Sequence, residues 1–395
     1  VNLPTVSDLT LAEKIGQMLC LGWRGDDSLL NVNAQARACV RDLKAGGLIV
    51  MGRNVQAAQT TPVPPINVPR VRAMLDELQG FADVPLLVAT DQEGGRVARL
   101  RGVPFTFFPA ARVVGQAGDV SLAREAARIA GAELAQAGIN FNFAPVADVD
   151  SNLANPVIGD RAFGSDAKVV AQFVAAQVEG YQASGGVLAC AKHFPGHGDT
   201  AVDSHLDLPT LLFSLDEMAA RELVPFRAAI AAGVAAIMTA HILFPAVDPF
   251  GLPATMSRAI LTDLLRGTLG FDGLIVTDCL EMKAVSDRWG TPRAAVLAAL
   301  AGADVLLVCH TWERQKATRD ALLDAAERGE LPLARVDEAV GRILAAKRRV
   351  STFALDLDFF GTPKSLAVAR ALADRASVPF TPPDAPTTLG ANAPG

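Results

Sequence analysis

The chain is poor in the features that would mark it for several large classes of function. Its five cysteines, Cys20, Cys39, Cys190, Cys279 and Cys309, are odd in number and widely spaced. Four lie within or beside apolar runs, which argues against a disulfide framework and fits buried free thiols in a reducing compartment. No Cys-x-x-Cys spacing and no His-x-x-x-His pair on a helix offers a metal its usual ligand arrangement, and no Gly-x-Gly-x-x-Gly turn offers a dinucleotide a cradle. The net charge of −6 is not gathered into any block of one sign. A general electrostatic field therefore draws in neither nucleic acid nor an anionic membrane, and neutral or small anionic substrates remain. The opening Val1-Asn2-Leu3-Pro4 lacks a basic segment followed by an apolar one, and no uncharged apolar run is long enough to span a bilayer. With Val1 near the native start, the expectation is a soluble, cytoplasmic monomer without cofactor or metal.

What is present is a large apolar content, half of 395 residues, ample for a buried core. Eight short apolar runs, at 15–22, 47–52, 85–91, 140–148, 187–193, 235–241, 273–278 and 304–309, are each followed by Gly, Pro, Asn or Asp. Segments of helical period lie between them, at 70–81, 122–137, 167–183, 215–232, 257–269 and 293–301. Strands that are apolar throughout and alternate with helices predict a parallel sheet covered by helices. Eight such units predict an α/β fold of the closed (β/α)8 TIM-barrel type, a single catalytic domain over residues 1–350. After a helix at 335–350, residues 351–395 read as an irregular tail, disordered from about 378 where Pro, Gly, Ala and Thr dominate.

The stretch 192–205, Lys-His-Phe-Pro-Gly-His-Gly-Asp-Thr-Ala-Val-Asp-Ser-His, holds three of the five histidines. It starts on a strand, with Lys192 and His193 expected on opposite faces, and is turned into a loop by Pro195, Gly196 and Gly198. Ionisable residues end four other strands: Asp91 with Glu93 and Arg96 just beyond, Asp148, His241 and Asp278. Barrel enzymes carry their chemistry at those ends. The long loop 151–165 offers Arg161 either as a substrate clamp or as a loop-pinning charge. A second loop, 60–69, with four prolines, is placed to rim the site. Two chemistries fit. In a glycosidase a carboxylate attacks the anomeric carbon while a second group handles the proton. In an aldolase-like barrel Lys192 forms a Schiff base. The second requires a depressed lysine pKa, which His193 and nearby aspartates oppose by offering acceptors, so the first is favoured.

Residues 192–200 with Asp203, Ser204 and His205 resemble the signature of glycoside hydrolase family 3 β-N-acetylglucosaminidases, the single-domain bacterial enzymes of cell-wall recycling. The likeness extends to Asp91-Gln92-Glu93-Gly94-Gly95-Arg96-Val97, Gly159-Asp160-Arg161-Ala162-Phe163-Gly164, Pro253-Ala254-Thr255-Met256-Ser257 and Gly273-Leu274-Ile275-Val276-Thr277-Asp278. It implies Asp278 as nucleophile, Asp203 and His205 as acid/base dyad, and Asp91, Arg99, Arg161, Lys192 and His193 as the residues that bind the sugar. It further implies a retaining exo-enzyme that frees terminal N-acetylglucosamine from muropeptides, with no cofactor. The sequence departs from the pattern at Cys279, where many relatives carry Asp, and at Asp207, where a small residue is commoner. Too little chain follows residue 345 for the family's optional second domain. Phosphorolysis in the same site, a β-glucosidase-type activity and a non-catalytic sugar-binding barrel are the alternatives.

Overall fold

Eight strands, each apolar and buried on both faces, form the centre of the molecule in a computed structural model that describes residues 3–24, 30–56, 63–201 and 207–380. They are β1 (Leu19–Leu21), β2 (Gly47–Val50), β3 (Leu87–Thr90), β4 (Phe141–Asn142), β5 (Leu188–Phe194), β6 (Ala236–Thr239), β7 (Leu274–Val276) and β8 (Leu306–Val308). All neighbours are parallel, in the order β8-β1-β2-β3-β4-β5-β6-β7. A parallel bridge between Val276 and Val305, with the Thr277 amide donating to the Val305 carbonyl, closes the ring. The fold is a (β/α)8 barrel, with one strand in each of the eight expected runs. Closure leaves no edge strand, and each buried Leu, Ile or Val contributes roughly 1.5–3 kcal/mol.

Helices cover the outside. Val120–Gln136 and Ala167–Gln182 pack closely because two glycines face the partner helix: a Cβ on Gly131 would meet the Tyr181 carbonyl oxygen at 2.8 Å, and one on Gly180 would meet that of Arg124 at 2.4 Å. The run at 15–22 is strand only in its second half. Its start belongs to helix Leu11–Gln17, opened by a capping box in which Thr10 and Glu13 exchange hydrogen bonds. The helix expected over 215–232 is two, Leu223–Ala231 following Leu215–Ala220. Pro225 lacks the amide that would have continued the ladder and crowds the preceding turn. Residues 351–380 are not irregular as expected. They contain helix Pro363–Arg375, capped by Thr362 and started by proline, whose Val368, Ala369, Leu372 and Ala373 are buried. Residues 381–395 lie outside the described part. All five cysteines are free and buried, as expected. No helix among the described residues is long and apolar enough to cross a membrane.

Candidate active site

The carboxyl ends of β3, β4 and β5 carry a continuous ionic network. Beyond Thr90 the chain enters a small antiparallel hairpin, Gln92–Gly94 with Val97–Ala98. Asn142, the last residue of β4, holds it by accepting from the Gln92 amide (3.0 Å) and donating to the Gln92 carbonyl (3.1 Å). Asp91 and Glu93 on either side of Gln92 both reach Lys192. The Lys192 Nζ is 2.9 Å from Asp91 Oδ1 and 2.7 Å from Glu93 Oε1. Glu93 takes Arg161 in a two-pronged pair, Nε to Oε2 at 2.9 Å and Nη2 to Oε1 at 2.8 Å. Arg99 donates to Asp91 Oδ2 at 3.1 Å. Arg161 Nη2 lies 3.4 Å from His193 Nε2, and His193 Nδ1 is 2.7 Å from Asp148 Oδ2.

Lys192 and His193 thus serve one network, not opposite faces of a strand. The pairing of β5 with β6 shifts register between Lys192 and Phe194, so strict alternation does not hold there. The polar loop after β5 is stapled to the loop after β4. Asp148 Oδ1 accepts the His193 and His197 amides at 3.2 and 2.7 Å, and the Asn155 side chain donates to the carbonyls of His197 and Gly198 and to Thr200 Oγ1. Only glycine fits at 198, because a Cβ there would stand 1.7 Å from the Val149 carbonyl oxygen. His197, hydrogen-bonded through Nδ1 to Thr200, is a buried packing residue whose pKa falls to about 4, burial being the main cause and the neighbouring His193 the next.

The electrostatics of the network are those of closely matched charges. Burial alone would strip Lys192 of its proton, but Asp91 and Glu93 outweigh it and hold the ammonium above its ordinary pKa. Burial likewise disfavours the Asp91 and Glu93 carboxylates, yet Lys192 with Arg99, and Arg161 with Lys192, keep them well below the usual carboxylate range. Among the described residues Lys192 donates to Asp91 and is ion-paired with Glu93. A lysine held charged is no Schiff-base nucleophile, and this is a physical argument against the aldolase-like chemistry.

Asp278 follows β7 at the same end of the barrel. The Cys279 amide donates to its Oδ1 at 2.6 Å. The buried Cys190 thiol on β5 lies within electrostatic range of Lys192, Asp91 and Asp278 together. His241 supports the turn from the other side, its Nε2 3.1 Å from the Cys279 carbonyl oxygen and its Nδ1 2.8 Å from Thr255 Oγ1. The Cys279 thiol, which follows Asp278, is held below its ordinary pKa by the Cys309 thiol and by His310, and Cys309 is raised in turn.

The structure therefore brings Asp91, Arg99, Arg161, Lys192 and His193 into one network, with Asp278 at the same end. Asp203 and His205 lie outside the described residues. Glu93 and Asp148, which join the network's halves, were not singled out as site residues. Their signal was present in the ionisable strand ends, but their partners lie 68 and 45 positions away along the chain.

Residues 10–346 match the profile of the glycosyl hydrolase family 3 N terminal domain. Among solved structures, the chain is 43% identical to a glycoside hydrolase family 3 β-N-acetylglucosaminidase from a Paenibacillus species, with a TM-score of 0.85 over 93% of this chain and 69% of that one. It is 38% identical over 280 residues to a β-hexosaminidase of Thiobacillus denitrificans, covering 69% of this chain and 74% of the relative. It is also 34% identical over 383 residues to β-hexosaminidase A of Pseudoalteromonas piscicida, 87% of this chain but 62% of the relative's length.

Proposed function

The chain belongs to glycosyl hydrolase family 3, and from that premise we propose that it is a retaining exo-β-N-acetylglucosaminidase, a β-hexosaminidase that removes terminal β-linked N-acetylglucosamine from muropeptides. The observation that carries this reading is the network of three carboxylates, three cations and His193 at the strand ends that also bear Asp278. A sugar presents many hydroxyls and no charge. A site of fixed, paired charges can give each hydroxyl a charge-assisted hydrogen bond without having to be neutralised first.

In this reading Asp278, oriented by the Cys279 amide, attacks the anomeric carbon and forms a glycosyl-enzyme ester. His205, oriented by Asp203, gives its proton to the departing oxygen and takes one from water when the ester is hydrolysed. A histidine is suited to both steps because its ordinary pKa of about 6.5 needs only a slight rise beside a carboxylate. Asp91, Arg99, Arg161, Lys192 and His193 hold the sugar hydroxyls and the N-acetyl group.

The test is turnover of aryl β-N-acetylglucosaminide against aryl β-glucoside, with NMR of the first anomer released, followed by mass spectrometry of a muropeptide digest. The expected result is preference for the N-acetylated sugar, the β-anomer first, and loss of one N-acetylhexosamine from the muropeptide. An α-anomer first would overturn the double displacement. Sugar 1-phosphate formed when inorganic phosphate is added would make the protein a phosphorylase, and saturable sugar binding without turnover would make it a sensor.

A further inference from the structure

Next to Asp278, the ends of two neighbouring strands assemble a second cluster that the hydrolytic reading does not use. Cys279 and Glu281 follow β7, and Cys309 and His310 follow β8. Cys279 Sγ, a carboxylate oxygen of Glu281 and a ring nitrogen of His310 all lie within 4.8 Å of one another. The Cys309 thiol neighbours Cys279 and lowers its pKa. Glu281 is held in place by accepting the amides of His310 (2.6 Å) and Thr311 (3.1 Å) at the start of helix Trp312–Glu327. A carboxylate has about four lone-pair positions, so these two bonds do not exhaust it.

We propose that Cys279, Glu281 and His310 form a binding site for a borderline-soft divalent cation of the zinc class, with water as the fourth ligand. The donor set decides the class. One carboxylate is too few for magnesium or calcium, which ask for six or more oxygens, whereas thiolate, imidazole and carboxylate together are a tetrahedral zinc set. Bonds of about 2.0–2.3 Å to a central ion place tetrahedral ligand atoms roughly 3.5 Å apart. The cluster needs a contraction of about an ångström from its present spread, within reach of side-chain rotation. Two guanidiniums flank it: Arg53 donates to the Cys309 carbonyl at 2.8 Å, and Arg314 lies 4.0 Å from Glu281. Their charge repels any cation held by electrostatics alone, so an occupant must form strong bonds to sulfur. Binding replaces the Cys279 thiol proton by a metal–sulfur bond and releases that proton to water.

The proposal is independent of the catalytic one, because binding is read without turnover. Protein reduced with a phosphine and freed of metal by a chelator is titrated with Co2+. The expected result is a thiolate-to-cobalt charge-transfer absorption with tetrahedral ligand-field bands, saturating at one equivalent and abolished by added Zn2+. Cys279→Ser removes the charge-transfer band, whereas Cys39→Ser, at a buried cysteine outside the cluster, retains it. His310→Gln, at a half-buried position, shifts the titration to higher cobalt and serves if Cys279→Ser fails to fold by circular dichroism. No charge-transfer band in the folded parent, a band that survives Cys279→Ser, or an unshifted titration in His310→Gln overturns the proposal.

Discussion

Two buried ionic clusters stand at opposite ends of the barrel, and they differ in what they leave unfinished. At the amino end of β8, Asp304 is fully buried and takes Arg266 and Arg335 at 2.6 Å each and Arg342 at 3.5 Å. Arg335 also donates to the carbonyls of Ala299, Gly302 and Ala303. That hub ties helix Leu333–Arg348 and the π-helical turns Ala259–Thr268 to the sheet. At the carboxyl ends, by contrast, opposite charges are matched one for one, and Asp91 and Arg161 are only partly buried, open to a ligand. Barrel proteins use the first end for stability and the second for ligands. The lesson is that a buried salt bridge by itself does not mark a site, whereas a matched, partly exposed network at the strands' carboxyl ends is where one is to be sought.

The comparison is put at greatest risk by Asp278→Ala, which should lower turnover on the order of 10⁴-fold with every substrate, since the proposed mechanism then lacks the group that forms its covalent intermediate. Its thermal unfolding should match the parent, and substantial residual turnover would remove Asp278 from the chemistry. Asp304→Ala should do the reverse. It strands three guanidiniums beside a vacated partner, and breaking a buried pair in this way costs about 3–5 kcal/mol, read by denaturant unfolding. Activity per folded molecule should hold, and a loss confined to activity would contradict the division between the two ends.

Lys192→Ala should fall between these. Loss of a charge-assisted hydrogen bond to the sugar is worth roughly 1.5–3 kcal/mol, or about one to two orders of magnitude in kcat/KM. The same variant carries a pH signature. Asp91 and Glu93 are held below their unfolded pKa values, so their contribution to stability is full above about pH 4 and is lost as pH falls through the lowered values. The stability gap between parent and Lys192→Ala should be widest above about pH 4 and narrow on acidification. A gap that widens in acid would show that Lys192 does not hold those carboxylates. The smallest effect is expected from Arg96→Ala. Its pair with Asp160, 2.7 Å long, is about half exposed on both sides, and such pairs contribute about 0–1 kcal/mol. Stability and kcat/KM should both stay close to the parent's.

All eight strands were legible because a parallel barrel buries both faces, so each strand is an unbroken apolar run. Helix Pro363–Arg375 was legible too, in Thr362 before Pro363 and in apolar residues at 368, 369, 372 and 373, but the Pro- and Gly-rich stretch beyond it drew the reading toward disorder. Of the network, Lys192, His193, Asp91 and Arg161 could be picked out as polar groups at strand ends or in a loop. Glu93 could not be distinguished from a solvated hairpin carboxylate, because what makes it a bridge is Asn142 fixing the hairpin and Arg161 arriving from another loop. The cluster of Cys279, Glu281 and His310 escaped for a related reason. Its donors come from the ends of two adjacent strands, and no spacing along the chain announces them.

The staple between the loops after β4 and β5 makes the two a single unit of inheritance and of engineering. Transplanting residues 151–165 from another barrel without 194–201 would take Asn155 from the carbonyls of His197 and Gly198 and press a foreign backbone against the surface that Gly198 shares with Val149. Exchanging the two loops together preserves that seam. Changes of substrate scope in this scaffold are therefore best sought by moving both loops as one cassette, with Asp148 retained beneath them as the common anchor.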